Sequence, residues 1–139
     1  MLVNFCGGNP FVTTDVYSPI NIKGVVARLG LEDALIRELV QMYLGDAAIR
    51  LREMEDLLAA AQTSHLDKDR MFKLQLCAHS IKGGAANLGL EGVEAIASQL
   101  EGLALAHDFG AMPAYLIATR RELEIVERYL SRLPERAIQ

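Results

Sequence analysis

Tryptophan, proline and cysteine are all scarce in this chain of 139 residues. It has no Trp, four Phe and four Tyr, and so few large aromatic side chains disfavour a β-architecture. A proline inside a helix costs about 3 kcal/mol, yet no proline occurs over residues 20–112. Because this long run is rich in Leu and Ala, the sequence predicts an all-α protein. The four prolines lie outside it, at Pro10, Pro19, Pro113 and Pro134.

The small number of cysteines and the charge balance exclude further classes of protein. Cys6 and Cys77 are too few for a disulfide framework, and Cys77, set among apolar residues, is expected in the core. A formal net charge of −4 is not that of a nucleic-acid binder, which needs a basic patch. No apolar run approaches the ~20 residues that span a bilayer. Residues 1–9 do not look like a secretory signal. Because the cysteines form no disulfide framework, a cytoplasmic compartment is the default expectation.

Apolar residues recur at helical spacing in four long segments that end near residues 61, 88, 107 and 133. Each segment has one apolar face and one polar face, as in a helix that packs against a core. Four such helices with short links favour an antiparallel up-down four-helix bundle. The predicted core stripes are Ile36, Val40, Tyr43, Ala47, Leu51, Met54, Leu58 and Ala61; Leu74, Ala78, Ile81, Ala85 and Leu88; Val93, Ile96, Leu100 and Leu103; and Met112, Leu116, Thr119, Leu123, Val126, Leu130 and Leu133.

Polar residues and glycines mark the expected helix ends. Asn21 can cap a short accessory helix over 22–29, and Gly30 is a natural stop for it. Ser64 with Asp67 resembles a capping box at the start of the helix that follows the 62–68 turn.

The chain is predicted to contain one domain with a segment at either end. Residues 1–20 hold two prolines and a Gly-Gly pair, so we expect an extended N-terminal arm. The bundle then covers 21–134, and 135–139 form a C-terminal tail. The arm is a candidate to dock on the bundle through Phe11, Val12 or Tyr17.

Two adjacent glycines, Gly83 and Gly84, lie inside the third predicted helix. Each costs that helix roughly 1 kcal/mol relative to alanine. Residues three and four positions apart share a helix face, so Lys82 and Gly83 lie beside His79, on the side away from the core stripe. His79 is therefore predicted to face solvent with little bulk next to it. The same strip, which we expect to meet a partner protein, also includes Gln75, Gly84 and Ala86.

An exposed histidine with a cation beside it suits phosphoryl chemistry. A neutral imidazole is a good nucleophile near physiological pH. If it attacks a phosphoryl group, the ammonium of Lys82 can stabilise the charge on the oxygens. Surface histidines without a role are common. The interpretation therefore rests on His79 together with Lys82 and the nearby glycines Gly83, Gly84 and Gly89, not on His79 alone.

The run from His79 to Gly89 resembles the signature of the histidine-containing phosphotransfer (HPt) domain family. Its elements are the histidine, Lys82 at +3, Gly83 at +4 and Gly89 at +10. The resemblance implies a four-helix bundle whose exposed histidine exchanges a phosphoryl group with the aspartate of a receiver domain. It also implies that His79 accepts the phosphoryl group, that Lys82 is the helper cation, and that the receiver, not this chain, holds Mg²⁺.

The resemblance implies a further polar residue on the next helix, where this family often places a hydrogen-bond partner for the imidazole. Glu101 is the first candidate and Gln99 the second. A carboxylate on Nδ1–H would fix the tautomer and leave Nε2 as the nucleophile. Phosphotransfer domains of chemotaxis histidine kinases have a glutamate here, and residues 79–85 look closest to those domains, whereas residues 87–90 look more like stand-alone or hybrid-kinase phosphotransfer domains. The resemblance leaves open whether the chain is a free-standing relay protein or an excised domain.

The sequence is also compatible with two other functions. A pure interaction module would bind receiver domains without phosphotransfer, and a small helical enzyme would use His79 as a general base in a concave pocket. His65 and His107 are not at metal-ligand spacing with His79 or the cysteines, so no metal site is expected. We expect no cofactor bound by this chain, no nucleic-acid or membrane partner, and a monomer.

Overall fold

The computed structural model describes residues 18–30 and 33–132, and within them every regular element is an α-helix. We number five helices in chain order. Their bounds are α1 Ile22–Leu29, α2 Asp33–Ala61, α3 Lys68–Asn87, α4 Glu91–Leu105 and α5 Met112–Arg132. The four long helices match the predicted segments to within a few residues, and α1 matches the accessory helix.

The four long helices enclose one apolar core. α2 packs on α3, α3 on α4, α4 on α5, and α5 again on α2, so the contacts form a closed ring. α3 and α4 share the most extensive contact, and α1 packs on α2. The largest fully buried side chains come from every helix, among them Val25, Ile36, Leu51, Met54, Leu74, Ile81, Leu100, Met112 and Leu130.

The core stripe of α4 differs from the predicted one. Val93 and Leu100 are buried as expected, but Ala97 and Ala104 occupy the other inward positions. Leu103 packs only partly against the core. The small alanines let α4 approach its neighbours closely, whereas the larger Ile96 and Leu103 beside them had suggested the adjacent positions.

The start of α3 also corrects a prediction. Asp67 is the N-cap, and its side chain accepts a hydrogen bond from the backbone N–H of Arg70 at 2.9 Å. Ser64 instead donates to the carbonyl of Ala60, at the end of α2. The two residues therefore serve different helices and do not form a capping box.

A tight turn at Gly89 joins α3 to α4 and seats α1. Gly89 has a φ of +69°, a left-handed conformation that favours glycine. Its neighbour Leu90 donates to the carbonyl of Ala85 at 2.9 Å, which satisfies a carbonyl at the end of α3. The backbone N–H of Asn21 donates to the carbonyl of Gly89 at 2.8 Å, so the first residues of α1 are tied to this turn.

Both predicted ends of α1 are present. The Asn21 side chain accepts from the N–H of Gly24, and Gly30 ends the helix in a left-handed conformation. Ile20, placed in the arm by the sequence, is buried in the core. The expected arm contacts and Leu133 lie outside the described residues.

Candidate functional site

His79 stands on the outer face of α3, and its side chain is 66% exposed. The core residues of α3 are Leu74, Cys77, Ala78, Ile81 and Ala85, and they cover the other side of the helix. The ring is nevertheless oriented, because its Nδ1 lies 2.7 Å from Oε2 of Glu101 on α4. The site thus presents an imidazole that is open to solvent and held at one nitrogen.

Glu101 joins the two functional side chains of α3. While Oε2 contacts the imidazole, Oε1 accepts a hydrogen bond from Nζ of Lys82 at 3.2 Å. The Glu101 side chain is only 17% exposed, so it is largely shielded from solvent. Burial alone would raise the pKa of this carboxyl, but the hydrogen bonds from His79 and Lys82 outweigh it, and the pKa lies below its ordinary value of 4.5.

The adjacent glycines of α3 have different surroundings. A Cβ added to Gly83 would meet no atom within 4 Å, so this position is open beside the imidazole. A Cβ on Gly84 would lie 2.5 Å from the aromatic ring of Tyr43 on α2. Gly84 therefore packs against Tyr43 inside the protein, and it does not lie on the open face predicted for it.

Tyr43 also reaches α3 through its hydroxyl. The phenol donates a hydrogen bond to the backbone carbonyl of Ile81 at 2.6 Å, in the turn between His79 and Lys82. Burial, with a smaller contribution from the charge of Asp46, raises the pKa of the Tyr43 hydroxyl, which keeps it a donor at neutral pH. Sequence reasoning placed Tyr43 in the core stripe, and its spacing gave no sign of the hydroxyl's partner.

Two large apolar side chains on the outer face of α3 were not predicted as part of the site. Phe72 is 62% exposed and Leu76 is 47% exposed. With His79 and Gly83 they follow at spacings of four, three and four residues, so they form one stripe along the helix. Their position opposite the buried stripe was visible in the sequence, where a solvated face calls for polar residues.

Comparison with family models matches residues 38–135 to the Hpt domain, which is well over half of the chain. The chain belongs to the Hpt domain family. The matched region of this Hpt domain contains most of α2 and all of α3, α4 and α5, but not α1. Hpt domains take part in histidine phosphotransfer within phosphorelays, where they interact with receiver domains. No curated protein and no solved structure gives a significant match.

The remaining candidate residues of this Hpt domain lie around the site or away from it. Gln75 and Ala86 are half-buried on α3. Gln99 is exposed, and among the described residues Glu101, not Gln99, contacts the imidazole. His65 and His107 are remote from His79, on the connections that follow α2 and α4, and both line a cavity of about 350 Å³ there.

The described part of the chain holds neither a cluster of metal ligands nor a membrane-spanning helix. No three His, Cys, Asp or Glu side chains of residues 18–30 and 33–132 come together as a metal site. Within the same residues, no helix combines the length and the apolar character needed to cross a bilayer.

Proposed function

We propose that this chain is a cytoplasmic phosphocarrier and not an independent enzyme, and that it carries a phosphoryl group reversibly on His79. The observation that supports this most directly is the 2.7 Å contact between Nδ1 of the exposed imidazole and the carboxylate of Glu101. An imidazole that donates its Nδ1–H to a carboxylate keeps the lone pair on Nε2. The nucleophile is then Nε2, at a ring that a partner can approach.

The transfer step balances without a cofactor on this chain. The Nε2 lone pair attacks phosphorus, an N–P bond forms, and the P–O bond of a phosphoaspartate breaks. The aspartate leaves as a carboxylate and the imidazole ring becomes cationic. Nδ1 keeps its proton, which it donates in the hydrogen bond to Glu101. A carboxylate at 2.7 Å stabilises this cation. The acidic pocket and the Mg²⁺ belong to the receiver domain that supplies the aspartate.

Lys82 supplies positive charge beside the reacting group. In the unphosphorylated structure its ammonium contacts Glu101 at 3.2 Å, while its side chain is 37% exposed. A flexible ammonium can turn from this carboxylate towards the phosphoryl oxygens that arrive at Nε2. We infer that Lys82 stabilises the transferring group and the phosphohistidine, so its loss slows transfer without abolishing it.

The partner is a receiver domain that docks on the outer face of α3. Gly83 leaves open space next to the imidazole, and Gln75 and Ala86 border the same strip. The exposed Phe72 and Leu76 extend it with apolar area, which favours protein contact. Docking here places the receiver's aspartate against Nε2.

The bundle supports this geometry because it fixes α3 against its neighbours. We infer an antiparallel up-down bundle of α2 to α5, with α1 as an accessory. Contacts pair Tyr43 with Gly84 and Glu53 with Lys73, so residue numbers rise along α2 as they fall along α3. One phospho-accepting histidine per bundle, His79, suits a monomer.

The test is phosphoryl transfer from a phosphorylated receiver domain to the purified chain. We expect label that is labile in acid and stable in base on the parent and none on His79→Gln. The matched control is His107→Gln, which removes a remote histidine and is expected to accept label at the parental rate. Label on His79→Gln would overturn the assignment of His79, and receiver binding without transfer by the parent would leave only the interaction module.

A second candidate function, the phosphotransfer domain of a chemotaxis-type histidine kinase, is favoured by one observation. The imidazole partner is a glutamate, as in those domains, and the candidate amide Gln99 does not contact it. The donor would then be ATP bound to a kinase domain. Incubation with such a kinase domain and labelled ATP separates the two, because a relay protein is expected to take label only through a receiver.

A further inference from the structure

The turn of α3 that carries the reactive residues is held from two sides. On one side, Glu101 of α4 binds His79 and Lys82. On the other, Tyr43 of α2 donates to the carbonyl of Ile81 and its ring fills the space beside Gly84. Ile81 lies between the two functional residues in sequence, so the Tyr43 contact falls within the same turn.

This turn needs external support more than the rest of α3. Two adjacent glycines lower its helix propensity and lack side chains that would pack against neighbours. Gly83 must stay bare for docking, so it offers no contact. Gly84 provides the contact that Gly83 lacks, because without a Cβ it lets the Tyr43 ring pack directly against the helix backbone.

We propose that Tyr43 is a positioning residue for phosphotransfer, which fixes the axial place and rotation of the α3 turn so that His79 and Lys82 both reach Glu101. The proposal rests on the proposed function, since it assigns Tyr43 a part in that same transfer. One carboxylate with contacts of 2.7 and 3.2 Å is shared by residues three positions apart. A small rotation of α3 moves both side chains relative to Glu101, and the 2.7 Å contact to the imidazole is the more sensitive of the two, because the flexible Lys82 can follow the carboxylate.

The geometry also separates the two parts of Tyr43. The ring excludes any side chain at Gly84, so it sets the distance between α2 and α3. The hydroxyl bonds to a backbone carbonyl, so it sets the position along and around α3. Tyr43→Phe removes the second function alone, and Gly84→Ala displaces the ring while it leaves the hydroxyl in the chain.

The test compares Tyr43→Phe with the parent in two measurements. The first is the tautomer of the His79 ring, read from the ¹⁵N shifts of Nδ1 and Nε2, which needs no partner or phosphate. We expect the parental preference for Nδ1–H to weaken in Tyr43→Phe and in Gly84→Ala. The second is phosphorylation by phosphoramidate, a small donor that needs no docking, and here we expect a rate about tenfold lower.

Two controls distinguish positioning from general stability. Tyr129→Phe removes the hydroxyl of a half-buried tyrosine on α5, and Val126→Ala opens a cavity in the core there. Both are expected to keep the parental tautomer and rate, although Val126→Ala lowers stability. Parental tautomer and rate in Tyr43→Phe would overturn the role of Tyr43, as would equal losses in Val126→Ala. Failure of the parent itself to accept phosphate would instead count against the proposed function, and the tautomer would still decide on Tyr43.

Discussion

Glu101 and His79 lie 22 residues apart in sequence, and their side chains meet at 2.7 Å across the contact between α3 and α4. The carboxylate is enclosed and the imidazole is exposed. The hydrogen bond therefore fixes the orientation of the exposed ring through Nδ1 and leaves the rest of the ring accessible to a partner. Because Lys82 shares the same carboxylate, the three residues form one unit.

Replacement of the carboxylate by an amide is predicted to loosen the imidazole. In Glu101→Gln the side chain presents an N–H as readily as an oxygen, so it no longer selects the Nδ1–H tautomer. It also cannot stabilise the cationic ring. We expect the transfer rate to fall at least about tenfold, measured with a phosphorylated receiver.

Gln99→Ala is the matched control for this substitution, since it removes an exposed polar side chain on the same helix. It is expected to transfer at the parental rate. A parental rate in Glu101→Gln, or an equal loss in Gln99→Ala, would remove Glu101 from the mechanism.

Stability is predicted to depend on pH through the same carboxyl. Burial raises the pKa of Glu101, and the bonds from His79 and Lys82 more than reverse this, so the folded value lies below the ordinary 4.5. A depressed pKa stabilises the fold above the unfolded value, and this contribution is lost as the pH falls through the folded value. Urea unfolding from about pH 7 to about pH 3 gives the free energy of unfolding of the parent and of Glu101→Gln. The advantage of the parent in this free energy should shrink below pH 4.5. An advantage of the parent that grows as the pH falls below 4.5 would contradict the sign of the pKa shift.

Sequence reasoning located the helices and the site motif because both are local patterns. Apolar spacing gave α2, α3 and α5 nearly residue by residue, and the family motif marked His79. Glu101 came from the resemblance to the family, since no local pattern links residues on separate helices. The stripe of α4 was assigned one position off at Ile96 and Leu103, because small alanines face the core there.

The two glycines show where local reasoning ends. Adjacent glycines in one helix received a common explanation, yet consecutive residues point about 100° apart around a helix. Gly83 faces solvent and Gly84 faces Tyr43. Only the packing of α2 on α3, which the sequence does not encode locally, separates their roles.

These roles predict opposite effects of the same substitution. Gly83→Ala should stabilise the fold by about 0.5 to 1 kcal/mol, because alanine is the better helix former and its Cβ meets nothing. Gly84→Ala should destabilise it by about 1 to 3 kcal/mol, because the Tyr43 ring must move. Chemical denaturation of the pair against the parent checks both signs. If both substitutions raise the free energy of unfolding, the Tyr43 ring moves aside without an energetic cost.

The apolar stripe of α3 is predicted to act in docking and not in chemistry. Phe72→Ser and Leu76→Ser remove exposed apolar area, so we expect receiver affinity to fall about fivefold or more with phosphorylation by phosphoramidate unchanged. Ile117→Ser is the control, since Ile117 is similarly exposed, at 54%, but lies on α5. The stripe has no part in docking if the α3 variants bind like the parent, or if Ile117→Ser weakens binding equally.

The turn at Gly89 is predicted to tolerate a side chain much less than the end of α1 at Gly30. Both glycines have a left-handed φ, +69° and +65°, so alanine at either pays a backbone strain of about 1 to 2 kcal/mol. At Gly30 the added Cβ has open space, whereas at Gly89 it would lie 2.5 Å from the Val25 side chain and 3.0 Å from the Asn21 carbonyl oxygen. That oxygen belongs to backbone, which cannot turn aside as a side chain tip can, so Gly89→Ala should cost at least about 1 kcal/mol more than Gly30→Ala.

Urea unfolding of the two variants gives the difference, and faster hydrogen exchange at the Asn21 amide, bonded to Gly89, should appear in Gly89→Ala only. Equal losses in the two variants would show that strain alone sets the requirement for glycine and that α1 moves freely on the turn.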